Sequence, residues 1–153
     1  GRGDDRLTGG RGDDLLVGGQ GDDVLTDLAG DDTYRFGYGA GVDVVNDSSG
    51  TDSVEFEGNV GAEDVWFARE GNDLLVRLAD SADQMVIKDW YRKGGNHQVE
   101  SFTTSSGDVL YNNQVDQMVT AMAGFNIPRS GEFTPSFMAQ EQLEPLITTA
   151  WAS

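Results

Sequence analysis

The sequence predicts an all-β fold in which short strands coil between two sheets, followed by a β-rich capping region and one or two short C-terminal helices. Two features of the chain carry this prediction. Of its 21 glycines, 15 lie in residues 1–61, and 12 of its 19 aspartates lie within the first 52 residues. A unit of nine residues also recurs through this glycine-rich part, which is typical of repeat architectures.

The repeat becomes clear when the first half is aligned on a period of nine residues. Two copies are complete, GGRGDDLLV at Gly9–Val17 and GGQGDDVLT at Gly18–Thr26. Partial copies are found at Gly1–Thr8, Asp27–Arg35, Tyr38–Asn46, Asp47–Glu55 and, isolated from the others, Ala68–Val76. In every copy position 4 is glycine, position 6 is aspartate and position 8 is apolar. Because the chain starts at position 2 of a copy, we expect it to be a fragment of a longer protein.

Each unit divides into a six-residue turn and a three-residue strand. The glycines permit the positive φ angles of a tight turn, and only the central residue of so short a strand faces one side of the sheet. Two units therefore make one coil of 18 residues, with position 8 pointing between the sheets. These inward residues are Leu7, Leu16, Leu25, Tyr34, Val45, Val54 and Leu75. We expect the two extra residues, Phe36 and Gly37, to fall between turns.

Position 6 decides the chemistry of the repeats. Turns on one edge of the coil recur every second unit, so the sequence predicts four stacked pairs: Asp5 with Asp23, Asp14 with Asp32, Asp23 with Asp43, and Asp32 with Asp52. Stacked carboxylates repel each other unless a cation lies between them. Carboxylate and carbonyl oxygens at six or more positions suit calcium better than magnesium or zinc.

These units resemble the GGxGxDxUx nonapeptide of the RTX (repeats-in-toxin) family. The resemblance implies a calcium-bound parallel β-roll over residues 1–55, with about four Ca²⁺ ions between turns. It also implies the ligands. One turn would supply the carbonyls of positions 2 and 4 and the position 6 carboxylate. The next turn on that edge would supply the carbonyls of positions 1 and 3 and its own position 6 carboxylate.

Carried onto this sequence, the resemblance implies four sites, of which the last two depart more from the family pattern. The first would use Gly1, Gly3 and Asp5 with Gly18, Gln20 and Asp23. The second would use Gly10, Gly12 and Asp14 with Asp27, Ala29 and Asp32. The third would use Gly19, Gly21 and Asp23 with Tyr38, Ala40 and Asp43. The fourth would use Leu28, Gly30 and Asp32 with Asp47, Ser49 and Asp52.

Residues 56–111 are predicted to form a β-rich cap that covers the open end of the coil. Its expected strands are Val65–Phe67, Leu74–Val76, Met85–Ile87, Val99–Thr103 and Val109–Tyr111. The segments Met85–Tyr91 and Val99–Leu110 resemble the part that follows the repeats in RTX cytotoxins.

The remainder, residues 112–153, is predicted to be a helical segment followed by a linker and a tail. Apolar residues at helical spacing predict a helix over residues 113–123. Gly124–Gly131 is expected to be a linker, and Thr134-Pro135 could open a second short helix. Leu146–Ser153 resembles the uncleaved C-terminal export signals of the family.

The charge of the chain excludes several classes of function. With 27 acidic and 10 basic residues the net charge is −17, which disfavours direct binding to nucleic acid or an anionic membrane. No cysteine is present for disulfides or thiolate metal sites, and no apolar run is long enough to span a bilayer. Arg-Gly-Asp occurs at Arg2–Asp4 and Arg11–Asp13, but the spacing assigns both tripeptides to the repeat. His97 is the only histidine, and no catalytic constellation is visible, so we expect no enzymatic activity in this chain.

The resemblance implies a monomeric, calcium-dependent folding module that type I secretion machinery exports to the extracellular space. In an RTX cytotoxin this module would act at the host cell membrane, and an integrin is a candidate receptor through the wider repeat region. Two alternatives stay open at this point. One is the C-terminal module of a secreted RTX protease or lipase, and the other is an adhesin whose roll binds a host receptor.

Overall fold

The structure is a computed structural model that describes residues 3–58, 60–78, 81, 83–91, 98–122, 150 and 151. The described part is rich in strands and holds one longer helix near the end of the cap. Its strands are β1 (Arg6–Thr8), β2 (Leu15–Val17), β3 (Val24–Asp27), β4 (Thr33–Gly37), β5 (Val42–Asp47), β6 (Ser53–Glu57), β7 (Val65–Glu70), β8 (Asp73–Leu78), β9 (Gln84–Ile87), β10 (Ser101–Thr103) and β11 (Val109–Tyr111). A single 3₁₀ turn covers Ala62–Asp64, and helix α1 runs from Asn112 to Met122.

The first six strands alternate between two sheets. β1, β3 and β5 pair in parallel in one sheet, and β2, β4 and β6 pair in parallel in the other. Leu7 lies opposite Leu25 in the first sheet, and Leu16 lies opposite Tyr34 in the second. Successive strands of one sheet are therefore two repeat units apart, as the period predicts. This arrangement is compatible with a β-roll.

Position 8 of the repeat forms the core between the two sheets, which confirms the prediction for these strands. Leu25, Tyr34, Val45 and Val54 are fully buried and Leu16 is nearly so, while Leu7 at the start of the chain is partly buried against them. The residues on either side of Leu16, namely Leu15 and Val17, are exposed. Each early strand thus contributes a single side chain to the core.

The two inserted residues, Phe36 and Gly37, lie inside β4 and lengthen it, whereas the sequence predicted them between turns. Phe36 lies opposite Phe56 of β6 and is buried, because it follows Tyr34 on the same inward face. Phe56 in turn stacks on Phe102 of β10, with ring centroids 6.4 Å apart. The insertion therefore adds a second inward aromatic residue to the strand.

The cap extends both sheets of the repeats. β9 pairs in parallel with β5, and β10 pairs in parallel with β6. The chain then reverses, because β8 and β7 continue the first sheet in antiparallel order and β11 closes the second in the same way. The five predicted cap strands are all present, with bounds shifted by up to three residues. Trp66, Phe67, Trp90 and Phe102 join the same core as the repeat leucines.

The isolated copy of the repeat at Ala68–Val76 forms a hairpin. β7 and β8 are antiparallel there, with Glu70 opposite Asp73 and the turn at Gly71 and Asn72. Gly71 has a φ of +64°, which a tight hairpin turn needs. Asp73 binds Lys88 at 2.9 Å and stacks on no other repeat aspartate. A single copy has no second turn to stack on, so its glycine serves local hairpin geometry.

Helix α1 matches the prediction to within one residue at each end. Val115, Met118 and Met122 are buried and face the cap, and the N–H of Phe67 lies 3.3 Å from the Met122 sulfur. Trp151 also packs on Phe67, with ring centroids 6.4 Å apart. The predicted linker, the Thr134-Pro135 helix and the rest of the tail lie outside the described residues. Among the described helices, none has the length and apolar character to cross a membrane.

Candidate metal centre

The position 6 aspartates stack along the two edges of the coil, and hydrogen bonds fix each pair. In every case the backbone N–H of one aspartate donates to Oδ1 of the aspartate in the next turn on the same edge. The distances are 2.8 Å for Asp5 to Asp23, 2.7 Å for Asp14 to Asp32, 3.0 Å for Asp23 to Asp43, and 2.8 Å for Asp32 to Asp52. The four predicted pairings are confirmed.

The second carboxylate oxygen is buried without a hydrogen-bond partner in five of the position 6 aspartates and in Asp27, which occupies position 1 of its unit. The affected atoms are Oδ2 of Asp14, Asp23, Asp27, Asp32, Asp43 and Asp52. Burying an unpaired anionic oxygen is costly, and buried acceptors normally find a donor. Six such atoms along the two edges of the coil call for cations. The donor set, carboxylate oxygens beside backbone carbonyls, fits Ca²⁺.

Burial raises the pKa values of three of these carboxyl groups, because it disfavours the charged form. Burial, opposed in part by the Asp23 N–H, raises the pKa of Asp43 to about 7, and the nearby Asp23 carboxylate adds to the effect. Burial and the neighbouring Asp47 carboxyl raise the pKa of Asp52 to about 8. The pKa of Asp32 is also raised, mainly by burial. Without a cation these turns therefore favour the protonated acids.

One group of three carboxylates lies closer together than pairwise stacking predicts. Ligand oxygens of Asp14, Asp27 and Asp32 all lie within 4.8 Å of one another. Asp27 occupies position 1 of its unit, where the complete copies carry glycine. The sequence interpretation assigned only its backbone carbonyl to the site, yet its side chain is fully buried among the other two. The aspartate in place of glycine was the signal that could have revealed it.

The position 4 carbonyls lie between successive turns, where the family ligand scheme expects them. A Cβ added to Gly21, Gly30, Gly41 or Gly50 would collide with the carbonyl oxygen of Gly3, Gly12, Gly21 or Gly30 respectively. Each of these carbonyls therefore faces the position 4 glycine of the next turn on its edge. The positive φ of these glycines, +109° at Gly21, is a second reason why no other residue suits the position.

Two of the predicted carbonyl ligands at position 2 are hydrogen-bonded to the next turn. The Gly10 carbonyl accepts from the N–H groups of Leu28 at 3.3 Å and Ala29 at 3.1 Å. The Leu28 carbonyl accepts from the Ser49 hydroxyl at 3.1 Å. These bonds use lone pairs that the ligand scheme assigned to calcium. They form because positions 2 and 3 of the next turn lie directly over position 2.

The remaining predicted ligands that the structure describes lie in the turns that precede β3, β4, β5 and β6. The N–H of Ala29 donates to Asp27 Oδ1 at 3.2 Å, and the N–H of Ser49 donates to Asp47 Oδ1 at 3.1 Å. The Cα of Gly18 faces the Asp23 carboxylate, Ala40 donates its N–H to the Gly37 carbonyl at 3.1 Å, and Tyr38 is exposed. Gly19 and Gln20 lie in the turn between β2 and β3, and Gly1 lies outside the described residues.

Comparison with protein families agrees with this geometry. Residues 1–34 match the RTX calcium-binding nonapeptide repeat, in four copies. The first four units of the chain therefore match RTX repeats. Residues 73–117 match the haemolysin-type calcium-binding protein related domain, and both matches support the RTX family. RTX nonapeptide repeats bind calcium, and RTX repeat proteins are generally secreted.

The RTX turns also carry a second row of aspartates that the sequence interpretation missed. Position 5 is aspartate in four successive units, Asp4, Asp13, Asp22 and Asp31. Their Oδ1 atoms accept from the position 5 N–H of the next turn: Asp22 to Asp4 at 2.8 Å, Asp31 to Asp13 at 2.9 Å, Val42 to Asp22 at 2.8 Å, and Thr51 to Asp31 at 3.0 Å. These bonds run opposite to those of position 6. The doubled aspartate thus links each turn in both directions.

Two carboxylates of the cap complete the last RTX turns. Glu100 Oε2 accepts from the Asp52 N–H at 2.6 Å, and it precedes β10 as a position 6 aspartate precedes its strand. Asp83 accepts from the N–H groups of Gly39 and Gly41, both at 2.9 Å. Neither residue belongs to a repeat copy, so no periodic signal identified them.

Proposed function

We propose that this chain is the calcium-dependent folding module of a type I-secreted RTX cytotoxin, whose repeats are disordered without calcium and fold after export. The observation that carries the proposal is the row of buried, unpartnered aspartate oxygens between the turns. Removed from water, these anions oppose folding, and bound Ca²⁺ would convert that repulsion into attraction. About four ions would fill the roll, one for each stacked pair of aspartates.

The energetics support a switch set by the calcium concentration. Extracellular calcium modules have Kd values of about 10⁻⁴–10⁻³ M. At ten times its Kd, each site would stabilise the folded state by about 1.4 kcal/mol, so four sites give roughly 6 kcal/mol. That is comparable with the total stability of a domain, about 5–15 kcal/mol. Inside the producing cell, free calcium is far below these constants, and the negative charge of the chain keeps it expanded.

The cap would serve as the folding nucleus and would itself need no calcium. It offers preformed strand edges to β5 and β6, and it supplies Glu100 and Asp83 to the last RTX turns. In C-terminus-first export the cap would leave the channel before the repeats, which could then add in C-to-N order. Folding outside the cell would prevent the chain from sliding back and would help to drive secretion.

We propose that the longer parent protein is an RTX cytotoxin with its own enzymatic domain. Residues 56–147 resemble the adenylate cyclase toxin-haemolysin of Bordetella. In such a parent the enzymatic and membrane-active parts lie elsewhere, and this module would be a monomeric, non-enzymatic scaffold. An integrin on the host cell would be reached through the wider RTX region, with the Arg-Gly-Asp tripeptides serving the turns.

A matched pair of variants tests the calcium role. Asp14→Asn keeps the backbone N–H that joins this residue to Asp32 Oδ1 and removes the charge of one ligand, so the residue should stay in the stack and the site should weaken. Asp13→Asn makes the same change at an exposed position next to it. Circular dichroism during a calcium titration should give a higher midpoint for Asp14→Asn and an unchanged midpoint for Asp13→Asn. If the wild-type spectrum is the same in chelator and in millimolar calcium, the proposal is wrong.

A further inference from the structure

We infer that the RTX edge carrying Asp14, Asp27 and Asp32 holds one cation with three carboxylates, and that this site binds Ca²⁺ more tightly than the two-carboxylate sites of the opposite edge. The inference rests on the proposed calcium role and adds a ligand, the Asp27 side chain. The third carboxylate also makes the site prefer trivalent cations of the lanthanide class.

The Asp27 carboxylate is placed as a ligand. Its side chain is 0 % exposed, and Oδ1 accepts the N–H of Ala29 at 3.2 Å, which fixes the orientation of the group. Oδ2 has no hydrogen-bond partner, and neither does Oδ2 of Asp14 or Asp32. With ligand oxygens of all three groups within 4.8 Å, one cation, or a proton shared between two of them, is needed to hold them together.

Gly9 provides the space into which these oxygens point. A Cβ at Gly9 would collide with Asp27 Oδ2 and would come within 2.9 Å of Asp14 Oδ2. Two carboxylate oxygens from successive turns therefore converge over the same glycine Cα. Any side chain in place of Gly9 would fill the space that the cation needs.

The opposite edge lacks the third carboxylate. There the residues at position 1 are Gly18 and Tyr38, and the Cα of Gly18 faces Asp23 of its own turn. Only position 6 supplies carboxylates to the pairs Asp5–Asp23 and Asp23–Asp43. Across the described part of the chain, Asp14, Asp27 and Asp32 make the one triple of metal-ligating side chains this close together.

The next turn on the same edge shows what a position 1 aspartate does when a donor is present. Asp47 is the counterpart of Asp27, and its Oδ2 accepts the hydroxyl of Tyr34 at 3.0 Å. Tyr34 occupies position 8, and the residue two units earlier at that position is Leu16, which has no donor. Asp47 is therefore held by a protein hydrogen bond, whereas Asp27 depends on a cation.

The number of carboxylates determines which cation the site prefers. Calcium affinity in proteins rises with the number of carboxylate ligands, and the attraction between a site and its ion scales with both charges. A site of three carboxylates balances a trivalent cation, whereas two carboxylates balance a divalent one. Lanthanide ions are hard, prefer oxygen ligands and match Ca²⁺ in size, so they should displace calcium from this site first.

The test is isothermal titration calorimetry of the full chain with Ca²⁺, comparing wild type with Asp27→Asn and with Asp13→Asn, which changes an exposed aspartate outside the sites. Asp27→Asn should weaken the tightest class of sites by roughly tenfold at unchanged stoichiometry, whereas Asp13→Asn should leave that class within about twofold of wild type. An unchanged tightest class in Asp27→Asn overturns the inference, and the proposed function survives as long as the wild type binds calcium and folds. If the wild type binds no calcium, the proposed function itself fails.

A second measurement uses the wild-type chain alone, in case Asp27→Asn does not fold. La³⁺ added to the calcium-loaded protein should displace one ion well before the others. Displacement of all ions over one concentration range would contradict a distinct three-carboxylate site.

Discussion

The repeats and the cap share one pair of sheets but are stabilised by different means. In the repeats, early strands such as β2 bury one side chain each, while six carboxylate oxygens lie buried between the turns. In the cap, Phe67 meets Phe102 edge to face at 5.4 Å between centroids, and Trp90 lies 6.0 Å from Phe102. The stability of the repeats must therefore follow the cations and protons in solution, whereas that of the cap follows apolar burial.

The two regions differ because the repeats bury carboxylates together with few apolar side chains, whereas the cap buries large aromatic side chains. A fully buried leucine contributes about 1.5–3 kcal/mol, which is less than the cost of an unpaired buried carboxylate. Buried aromatic side chains bring more apolar area and specific ring contacts. All three tryptophans, Trp66, Trp90 and Trp151, belong to the cap or the tail. Tryptophan fluorescence therefore reports on the cap, while far-UV circular dichroism reports on both regions.

Acidification in chelator should separate the two regions most strongly. Asp43 and Asp52 have folded-state pKa values of about 7 and about 8, above the value of 3.8 expected in an unfolded chain. The folded repeats therefore bind more protons than the unfolded chain. Their stability is highest below about pH 4 and is lost as the pH rises through 7 to 8, by several kcal/mol in total.

The measurement is circular dichroism and tryptophan fluorescence of the calcium-free chain between pH 5 and pH 8.5. Strand signal from the repeats should be greater at the lower pH, and the fluorescence of the cap should change little. In saturating calcium the order should reverse, because protons then compete with the ion for the same oxygens. Repeats that lose structure on acidification in chelator would contradict this account.

A cavity in the cap should destabilise the cap whether or not calcium is present. Phe102 is fully buried and contacts Phe56, Phe67 and Trp90, so Phe102→Ala should cost about 3–5 kcal/mol. Tyr111→Ala is the control, since Tyr111 directly follows the buried Leu110, lies on the opposite face of β11 and is exposed. Urea unfolding in calcium and in chelator should give similar losses for Phe102→Ala. A loss seen only in calcium would show that the cap also depends on the ion.

The contact between the regions can be weakened at Glu100 with a smaller effect. Its Oε2 accepts the Asp52 N–H at 2.6 Å, and burial raises its pKa despite that bond. Glu100→Ala leaves a buried N–H without a partner and should destabilise the calcium-loaded repeats by about 1–3 kcal/mol. Glu100→Gln keeps an acceptor and should lose less. Hydrogen exchange of the β6 amides measures the difference, and equal protection in both variants would argue against a capping role.

Much of the repeat region could be predicted because its pattern is local and periodic. The inward residues from Leu16 to Val54 and the four aspartate pairs follow from counting in nines. The same counting placed Phe36 between turns, because the period carries no information about an insertion that suits strand alternation. It also treated Gly71 as a repeat glycine, although a copy without neighbours has nothing to stack on.

The sequence predicted the position 6 carboxylates of the candidate site, and it missed the other carboxylates that lie in or beside these turns. Asp27 was counted for its carbonyl, since the family scheme offered no role for a side chain at position 1. Whether a carbonyl such as that of Gly10 faces an ion or the N–H of Ala29 depends on how two turns sit on each other. The residue type at position 2 does not determine how one turn stacks on the next.

The sequence alone determined the period, the stacked aspartates and the acidic character that makes the repeats depend on cations. These properties come from short-range spacing, which repetition amplifies into an unmistakable pattern. The tertiary structure alone decided which carboxylates complete the row: Glu100 reaches Asp52 across 48 residues, and Asp83 reaches Gly39 across 44. Contacts between such distant and unrepeated residues depend on the packing of the cap against both sheets, and no local pattern encodes them.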